Sequence, residues 1–278
     1  MLRLAIRVRR EDAELVLAEL LELAPSGVEE VEVPDGIEFA VYGAPGELPA
    51  LPDLRAAAGD ALVDVSTREI PDDWAERWRE FHRPLVLGDR ITVRPPWEPA
   101  GATSIDVVID PGQAFGTGAH ATTRLVLELM LALVETARPF GSLLDLGCGS
   151  GVLGIVGARL GWTPVIAVDH DPASVQAASA NAAVNGVELD VRRLDLRTDP
   201  LPEASTVVAN LLSPLLIAWA SRISADQSGP VIASGILVPE AEAVGQAFAA
   251  NGFEVTARRV QGEWIALLFD RAPPREDR

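Results

Sequence analysis

The residues with the clearest chemistry in this chain form one glycine-rich stretch, Leu143-Leu-Asp-Leu-Gly-Cys-Gly-Ser-Gly-Val152. Its first four residues are apolar apart from Asp145 and are typical of the end of a buried strand, whereas residues 152–160 have the composition of a helix. The three glycines between them allow a tight turn and a close backbone approach to a ligand, where a Cβ atom would collide. The first N–H groups of the helix point at whatever lies over this turn. A strand, a glycine turn and a helix in this order predict a nucleotide-type cofactor site.

The glycines by themselves fit two classes of cofactor. Gly149-Ser-Gly-Val-Leu-Gly154 matches the G-x-G-x-x-G dinucleotide fingerprint, and Asp169 follows at about the expected distance of ~20 residues. Asp145, however, lies two residues before the first glycine, where its carboxylate would face a pyrophosphate. A carboxylate there suits a cationic ligand without phosphate, such as S-adenosylmethionine, which carries a sulfonium and an ammonium group. The residues favour a methyltransferase, with an NAD-binding or noncatalytic Rossmann-like protein as the alternative.

Composition restricts the class of protein and its partners. The 278 residues are 48% hydrophobic and carry a net charge of −18, which disfavours binding to nucleic acid and favours a basic protein substrate. The alternative is that the acidic surface only keeps the protein soluble and has no part in substrate binding. The single cysteine, Cys148, excludes an internal disulfide and indicates a reducing, cytoplasmic location. The pattern predicts neither a membrane span nor a metal site, and we expect a monomer.

Patterning divides the chain into three parts and a tail. Residues 1–66 have the β-α-β-β-α-β order of a small ferredoxin-like α+β domain, and we expect it to recognise the substrate because it carries no cluster of catalytic side chains. Residues 67–100 are predicted to form a linker helix, with Trp74, Trp78 and Phe81 on one stripe, followed by an edge strand at 91–93. Residues 101–271 form the predicted cofactor-binding domain, and residues 272–278 form a flexible tail.

The cofactor-binding domain alternates strands and helices, which is typical of a doubly wound α/β sheet. Asp169, Asp195 and Asn210 each follow a predicted strand, at the edge where open α/β sheets bind ligands. The pattern ends in an antiparallel hairpin, which indicates a class I methyltransferase rather than an NAD-binding fold. The predicted strands are 105–109, 143–146, 165–168, 187–194, 205–209, 231–234, 253–260 and 264–270, and the predicted helices are 125–134, 152–160, 172–185, 214–221 and 238–250.

Four stretches of the chain together resemble one family. They are Phe115-Gly-Thr-Gly-Ala-His-Ala-Thr-Thr123, the glycine loop with Asp145, Val207-Val-Ala-Asn-Leu211, and Ser234-Gly-Ile-Leu237. With them, nearly the whole chain resembles the PrmA family, the bacterial methyltransferases of large-subunit ribosomal protein eleven. The resemblance implies a class I methyltransferase, doubly wound (Rossmann-like) sheet, S-adenosylmethionine as the cofactor, and a basic ribosomal protein whose lysine ε-amines and N-terminal α-amine are methylated. Another basic protein or a small molecule is the alternative substrate.

The resemblance also implies roles for individual residues. Asp169 would accept hydrogen bonds from both ribose hydroxyls, Gly147 would admit the amino-acid moiety, and Thr123 would reach the methionine carboxylate. Asn210 would contact the cofactor where the methyl group is transferred. Asp195 is a weaker candidate for the adenine amino group, and His120 is expected to be a hydrogen-bonded loop residue, in a loop that could close over the cofactor. The complete set of predicted cofactor-binding residues is Thr123, Gly147, Asp169, Asn210, Asp145, Gly149 and Phe115.

Asn210 is the predicted catalytic residue. The implied reaction is an in-line displacement on the sulfonium methyl group by a neutral amine, so that alignment contributes most of the rate. The lysine amine must first lose a proton, since its reference pKa is about 10.4, and water serves as the acceptor because no dedicated base is evident. In the alternative, Asn210 has only a structural role as the cap of the helix predicted at 214–221.

Overall fold

A computed structural model of the chain describes residues 2–13, 16–17, 20, 28–34, 36–43, 48–49, 51–69, 83–110, 120–136, 141–224 and 227–272. These residues belong to two compact units, Met1–Phe81 and His82–Arg278, and each unit has its own hydrophobic core. The predictions made for the linker helix at 71–82, for Phe115 and the glycines beside it, and for residues 273–278 of the tail lie outside the described residues.

The first unit contains a four-stranded antiparallel sheet in the spatial order β2-β3-β1-β4. Between β1 and β2, the described residues Ala13, Val16, Leu17 and Leu20 are helical, and a helix at Leu51–Ala58 precedes β4. This order confirms the predicted ferredoxin-like α+β fold. Alternate residues of β1, such as Ile6, pack against Leu20 and Leu54 in the core. The elements are β1 (Leu2–Val8), β2 (Glu29–Val33), β3 (Gly36–Gly43), α1 (Leu51–Ala58) and β4 (Leu62–Glu69).

The second unit is built on a seven-stranded sheet in the spatial order β10-β9-β8-β11-β12-β14-β13. Strands β8 to β12 are parallel, whereas β14 is antiparallel to both of its neighbours. This arrangement confirms the predicted doubly wound class I methyltransferase sheet with a terminal hairpin. Its elements are α2 (Ala121–Glu135), β8 (Leu143–Leu146), α3 (Val152–Leu160), β9 (Val165–Asp169), α4 (Pro172–Val184), β10 (Asp190–Arg193), β11 (Thr206–Asn210), α5 (Ser213–Ala220), β12 (Val231–Leu237), α6 (Ala241–Ala249), β13 (Phe253–Gln261) and β14 (Trp264–Arg271).

Helices cover both faces of this sheet and give it two apolar layers. On one face, α2 and α3 pack against the sheet through residues such as Leu129 and Ile155. On the other face, the ring of Phe248 stacks on Phe269 at 4.2 Å and meets Trp219 edge-on at 5.7 Å. Because both faces are buried, the central strands are mainly apolar, and the buried carboxyl group of Asp145 in β8 is an exception. The carboxyl ends of the parallel strands therefore remain as the edge at which polar side chains gather.

Of the element boundaries that differ from the predicted ones, two are explained by a local hydrogen bond. Helix α2 begins at Ala121 rather than at 125, because the side chain of His120 caps it by accepting a hydrogen bond from the N–H of Thr122. Strand β10 begins at Asp190 rather than at 187, because the N–H of Val187 is still bonded to a carbonyl of helix α4. In both cases a hydrogen bond sets the boundary, and the pattern of hydrophobic residues in the sequence gives no information about that bond.

The strand predicted as an edge strand at 91–93 is instead the central strand of a separate three-stranded sheet. This sheet contains β5 (Leu85–Leu87), β6 (Ile91–Arg94) and β7 (Ile105–Val108), with β6 in the middle. Arg94 joins β6 to β7, since its guanidinium donates to both carboxylate oxygens of Asp106 at 2.7–3.0 Å. This bonding lowers the pKa of Asp106. The prediction failed because β5, which has only three residues, was not predicted, and because the strand predicted at 105–109 was not recognised as the second partner of β6. Residues 83–100 thus belong to the second unit.

Two asparagines of α4 bond to the other edge of β7. Asn185 accepts from the N–H of Val108 at 2.8 Å and donates back to its carbonyl, as a paired strand would. Asn181, one turn earlier, accepts from the N–H of Asp110 at 3.1 Å and donates to the carbonyl of Ser150 at 2.9 Å. Both asparagines are buried. They therefore connect the end of β7 to the glycine-rich turn after β8.

Asn185→Ala should lower the free energy of unfolding by about 2–4 kcal/mol, because two half-buried backbone groups of Val108 lose their side-chain partner. Denaturant unfolding of the full chain measures the change. Asn251→Ala is the matched control: its amide donates to one carbonyl, that of Ala247, and its loss should lower the free energy by about 1 kcal/mol. Equal losses in the two variants would contradict the paired role of Asn185.

Candidate functional site

The turn between β8 and α3, residues 147–151, is the glycine loop predicted from the sequence. Gly147, Gly149 and Gly151 have φ values of 73°, 51° and 81°, in the left-handed region that side chains disfavour. The N–H groups of Gly147 and Cys148 both donate to the carbonyl of Val168, at 2.9 and 3.0 Å. The predicted tight turn is therefore present, and it is tied to the end of β9.

Gly147 is required by the protein's own packing. A Cβ atom at this position would lie 2.4 Å from the Cδ2 atom of Leu211, in the segment that follows β11. At Gly151, a Cβ atom would meet the backbone and side chain of Ala178 in α4 at 3.0–3.1 Å. The sequence suggested that the glycines admit a ligand, and the structure adds that two of them admit neighbouring protein atoms.

The carboxylate of Asp169, at the end of β9, organises the same turn. Its Oδ2 accepts a hydrogen bond from the N–H of Gly149 at 2.9 Å, and its Oδ1 accepts one from the N–H of Asp171 at 3.0 Å. The ring of His170 lies 3.3 Å from Oδ1. Each carboxylate oxygen has a second lone pair, so these bonds leave Asp169 able to accept further donors. Asp169 therefore shapes the glycine loop in addition to any part in ligand binding.

Asp145, within β8, is a fully buried carboxyl group behind the glycine loop. Its Oδ2 accepts a hydrogen bond from the N–H of Gly154 at 2.8 Å, whereas its Oδ1 has no hydrogen-bond partner among the described residues. Burial raises the pKa of Asp145 to about 7; the bond from Gly154 opposes this change, and the negative charge of Asp169 adds to it. A nearby positive charge would favour the ionised form of Asp145 and satisfy its unpartnered oxygen.

Asn210, the last residue of β11, has its side chain fixed by a short chain of hydrogen bonds. Its Nδ2 donates to the Oγ1 of Thr122 at 3.0 Å, and this hydroxyl lies 2.7 Å from the Nδ1 of His120. Because the N–H of Thr122 also points at Nδ1, this nitrogen is the acceptor and the hydroxyl of Thr122 donates to it. Among the described residues, the Oδ1 of Asn210 makes no side-chain hydrogen bond, so it has the capacity to accept one from a ligand.

The environment of His120 keeps its ring neutral. Burial lowers the pKa of His120, and the nearby carboxylate of Glu263 partly opposes this change. The ring meets Trp264 edge-on, with 5.2 Å between the ring centroids. A neutral ring retains Nδ1 as an acceptor, which the bond from Thr122 requires. Sequence reasoning missed Thr122 and Trp264; the paired threonines at 122–123 were a signal, but nothing in the sequence told their roles apart.

Asn210 does not cap helix α5. This helix begins at Ser213, its N-cap residue is Leu212, and no side chain makes a capping hydrogen bond there. Since the amide nitrogen of Asn210 donates to Thr122 instead, the alternative in which Asn210 serves only as a helix cap is wrong.

The predicted candidates differ in how their polar atoms are used. Thr123 is buried in the first turn of α2, and its hydroxyl has no hydrogen-bond partner within the described part of the chain. Asp195 is on the surface, and Arg197 donates to both of its carboxylate oxygens at 3.0 Å, which lowers its pKa to about 2. The carboxylate of Asp195 is therefore already paired with Arg197, whereas the Oγ1 of Thr123 and the Oδ1 of Asp145 have no hydrogen-bond partner among the described residues.

The strand order explains which candidates the fold brings together. Strands β9, β8 and β11 are neighbours, so Asp169, the glycine loop with Asp145, and Asn210 lie at the same edge of the sheet. Thr123 is joined to this edge because its neighbour Thr122 bonds to Asn210. A ligand with an ammonium and a carboxylate group fits the two buried atoms without partners, since Asp145 accepts and Thr123 donates hydrogen bonds.

No group of three or more histidine, cysteine, aspartate or glutamate side chains is arranged to hold a metal ion in the described ranges. Within the same ranges, no helix combines the length and apolar character needed to cross a membrane.

Comparisons with known proteins identify similar chains. The family model described as "Ribosomal protein L11 methyltransferase (PrmA)" matches residues 53–272. A ribosomal protein L11 methyltransferase of Pelotomaculum thermopropionicum is 41% identical over 210 residues, which are 73% of this chain and 67% of that protein. The protein of the same name from Geobacter sulfurreducens is 39% identical over 225 residues, 79% of this chain and 74% of that protein.

A solved structure agrees with these sequence matches. The crystal structure of a ribosomal protein L11 methylase from Lactobacillus delbrueckii subsp. bulgaricus has a TM-score of 0.61 and 30% sequence identity, and the match covers 69% of this chain and 100% of that chain. These similar proteins are methyltransferases by name, so the comparisons favour a methyltransferase over the alternative of an NAD-binding protein.

Asp145 should couple cofactor binding to pH. A cationic cofactor favours the ionised carboxylate, so binding near pH 7 should release about 0.5 proton, and between pH 6 and 8 the affinity should rise about tenfold relative to that of Asp145→Asn. Calorimetry in two buffers with different ionisation enthalpies measures the proton release. The same pH dependence in both proteins would show that Asp145 does not titrate on binding.

The stability of the cofactor-free protein should change with pH in the opposite direction to its cofactor affinity, falling as the pH rises. The pKa of Asp145 in the folded state, about 7, is higher than its unfolded value. Its contribution to stability is therefore present below about pH 4 and is lost as the pH rises towards 7. In Asp145→Asn this loss should be absent, as thermal unfolding across that range can test.

Proposed function

Since the chain belongs to the ribosomal protein L11 methyltransferase (PrmA) family, we propose that it methylates amino groups of ribosomal protein L11, namely lysine ε-amines and the N-terminal α-amine. The methyl donor is S-adenosylmethionine. The observation that carries the proposal is the edge formed by β8, β9 and β11, where an oriented amide on Asn210 lies at the strand end next to the glycine loop.

The residues proposed to hold the cofactor are those whose polar atoms still have capacity for a ligand. The unpartnered Oδ1 of Asp145 suits the ammonium group, and the unpartnered hydroxyl of Thr123 suits the carboxylate. Asp169, with one lone pair left on each oxygen, suits the paired ribose hydroxyls. Gly147 and Gly149 shape the turn over which the cofactor binds. Asp195 remains the weaker candidate for the adenine amino group.

The chain's own part in the reaction is to align the amine. When bound, S-adenosylmethionine supplies an electrophilic methyl group on a sulfonium, which is already a good leaving group. Asn210 accepts an N–H of the amine through Oδ1 and so orients its lone pair, because Nδ2 is already bonded to Thr122. The amide is uncharged, so it does not raise the pKa of the amine as a carboxylate would. Asn210 therefore allows the neutral amine that the displacement requires, and water accepts the proton.

The acidic charge of the chain supports a basic protein substrate, since complementary charge speeds encounter. We assign recognition of this substrate to the first unit. Its sheet has one face on its core, while on the other face Glu38 accepts from Arg3 at 2.9 Å and from Arg7 at 3.2 Å. These bonds lower the pKa of Glu38 and keep the three side chains ordered on that face.

The purified chain, given S-adenosylmethionine labelled in its methyl group, should label isolated ribosomal protein L11 on amino groups that mass spectrometry identifies. Asn210→Ala should lower kcat by about 10²-fold or more through lost positioning, with a much smaller effect on cofactor affinity. Label in a different basic protein but not in L11 would overturn the substrate assignment. A folded Asn210→Ala protein with normal turnover would overturn the role of Asn210.

A protein consisting of residues 70–278 should bind S-adenosylmethionine as tightly as the full chain but should lose methyl transfer to L11. The reason is that the cofactor candidates all belong to the second unit, whereas recognition is assigned to the first. Calorimetry and the labelling assay measure the two activities, and a melting curve establishes that the shortened protein is folded. Transfer to L11 at the full rate would place recognition in the second unit.

A further inference from the structure

Ser234-Gly-Ile-Leu237, at the end of β12, holds the backbone that follows Asn210. Ser234 is the register partner of Asn210, and its carbonyl accepts a hydrogen bond from the N–H of Leu211 at 3.0 Å. Gly235 has a φ of 82°, and a Cβ atom there would lie 2.4 Å from the carbonyl oxygen of Leu211. Only glycine lets the two backbones come this close.

A β-bulge in β12 creates this close approach. The register of β12 with β14 shifts between Ala233 and Ile236, and the buried hydroxyl of Ser234 donates to the carbonyl of Ile265 at 3.3 Å. The strand predicted to end at 234 therefore continues to Leu237, so the predicted end is wrong. The bulge turns the backbone of Ser234 and Gly235 towards the segment after β11.

Glu240 holds the other end of that segment. Its Oε2 accepts a hydrogen bond from the hydroxyl of Ser213 at 2.5 Å and a second from the N–H of Leu237 at 3.3 Å. Ser213 is the buried first residue of α5, three positions after Asn210. Residues 210–213, here called the Asn210 segment, are thus fixed at one end by the bulge of β12 and at the other by Glu240, which follows β12.

The side chain of Leu211 fixes the Asn210 segment from the opposite side. It packs against the backbone of Gly147, so closely that a Cβ atom there would lie 2.4 Å from it. The Asn210 segment is therefore held between the glycine loop on one side and the bulge of β12 with Glu240 on the other. Its position depends on Gly147, Gly235 and Glu240 together.

We propose that Glu240 is a positioning residue for methyl transfer, acting through Asn210. This inference rests on the proposed role of Asn210 in aligning the amine. Thr122 fixes the amide group of Asn210, whereas Gly235 and Glu240 fix the backbone from which that amide extends. A displacement of about 1 Å in a positioning group reduces rate by about 10²-fold, so the Asn210 segment must be held tightly.

The first test compares variants at the Glu240 end of the segment, with ribosomal protein L11 as substrate. Glu240→Ala and Ser213→Ala should each lower kcat about tenfold or more, while the Kd for S-adenosylmethionine stays within about twofold. Glu240→Gln keeps an oxygen that accepts both hydrogen bonds, and its kcat should stay within about threefold of the unsubstituted chain. Glu242→Ala is the matched control, since this carboxylate is on the surface and bonds to Gln246; its kcat should be unchanged.

A double-mutant cycle tests whether Glu240 acts through Asn210. In the Asn210→Ala background, Glu240→Ala should cause no further loss of kcat, because the group that it positions is gone. Multiplicative losses, or a normal kcat in both Glu240→Ala and Ser213→Ala, would overturn the positioning role. If Glu240→Ala does not fold, Ser213→Ala removes the same hydrogen bond with a smaller change and is used in the cycle.

The aligning role of Asn210 and the positioning role of Glu240 can be disproved separately. A normal kcat for Asn210→Ala would overturn the proposed function of Asn210 and the inference with it. A low kcat for Asn210→Ala together with normal values for Glu240→Ala and Ser213→Ala would overturn the inference alone. A fall in melting temperature with kcat unchanged in the folded protein would show that the Glu240 bond is only structural.

Discussion

Close packing around Leu211, at the carboxyl edge of the sheet, is the constraint on which the site depends. Leu211 follows directly after the catalytic candidate Asn210; its side chain packs against Gly147, and its backbone packs against Gly235. A Cβ atom at either glycine would come within 2.4 Å of Leu211. The absence of a side chain at these two positions lets the ends of β8, β11 and β12 pack closely, and β9, the neighbour of β8, adds Asp169 to the same edge.

Two titratable side chains at this edge, Asp145 and His120, have pKa values that burial shifts towards their neutral forms. Burial raises the pKa of Asp145 to about 7 and lowers that of His120. The first effect leaves a carboxyl group whose charge depends on a cationic partner. The second keeps the imidazole as an acceptor for Thr122, which in turn orients the amide of Asn210. A carboxyl group that ionises beside a cation, and an uncharged chain of hydrogen bonds to Asn210, both suit a site that binds a positively charged methyl donor and a neutral amine.

Much of the fold could be predicted from hydrophobic periodicity and turn residues. The glycine loop, the doubly wound sheet and the closing hairpin follow from buried strands that alternate with helices, and α3 was predicted with the bounds that it has. Periodicity failed where hydrogen bonds decide a boundary, as at His120, and where a strand is short, as in β5. It also gave no sign of the bulge at Ser234 and Gly235, because a bulge depends on the partner strand.

The sequence by itself determined the candidate residues, because Asp145, Asp169 and Asn210 each stand at or near the end of an apolar strand and such ends meet at one edge. Only the tertiary structure decided how their atoms are used. It showed that Asp169 also shapes the glycine loop, that Asp195 is engaged by Arg197, and that the amide of Asn210 is oriented by Thr122, 88 positions away in the sequence. The physical reason is that hydrogen bonds and packing between distant segments depend on positions in space, which residue types and spacings do not encode.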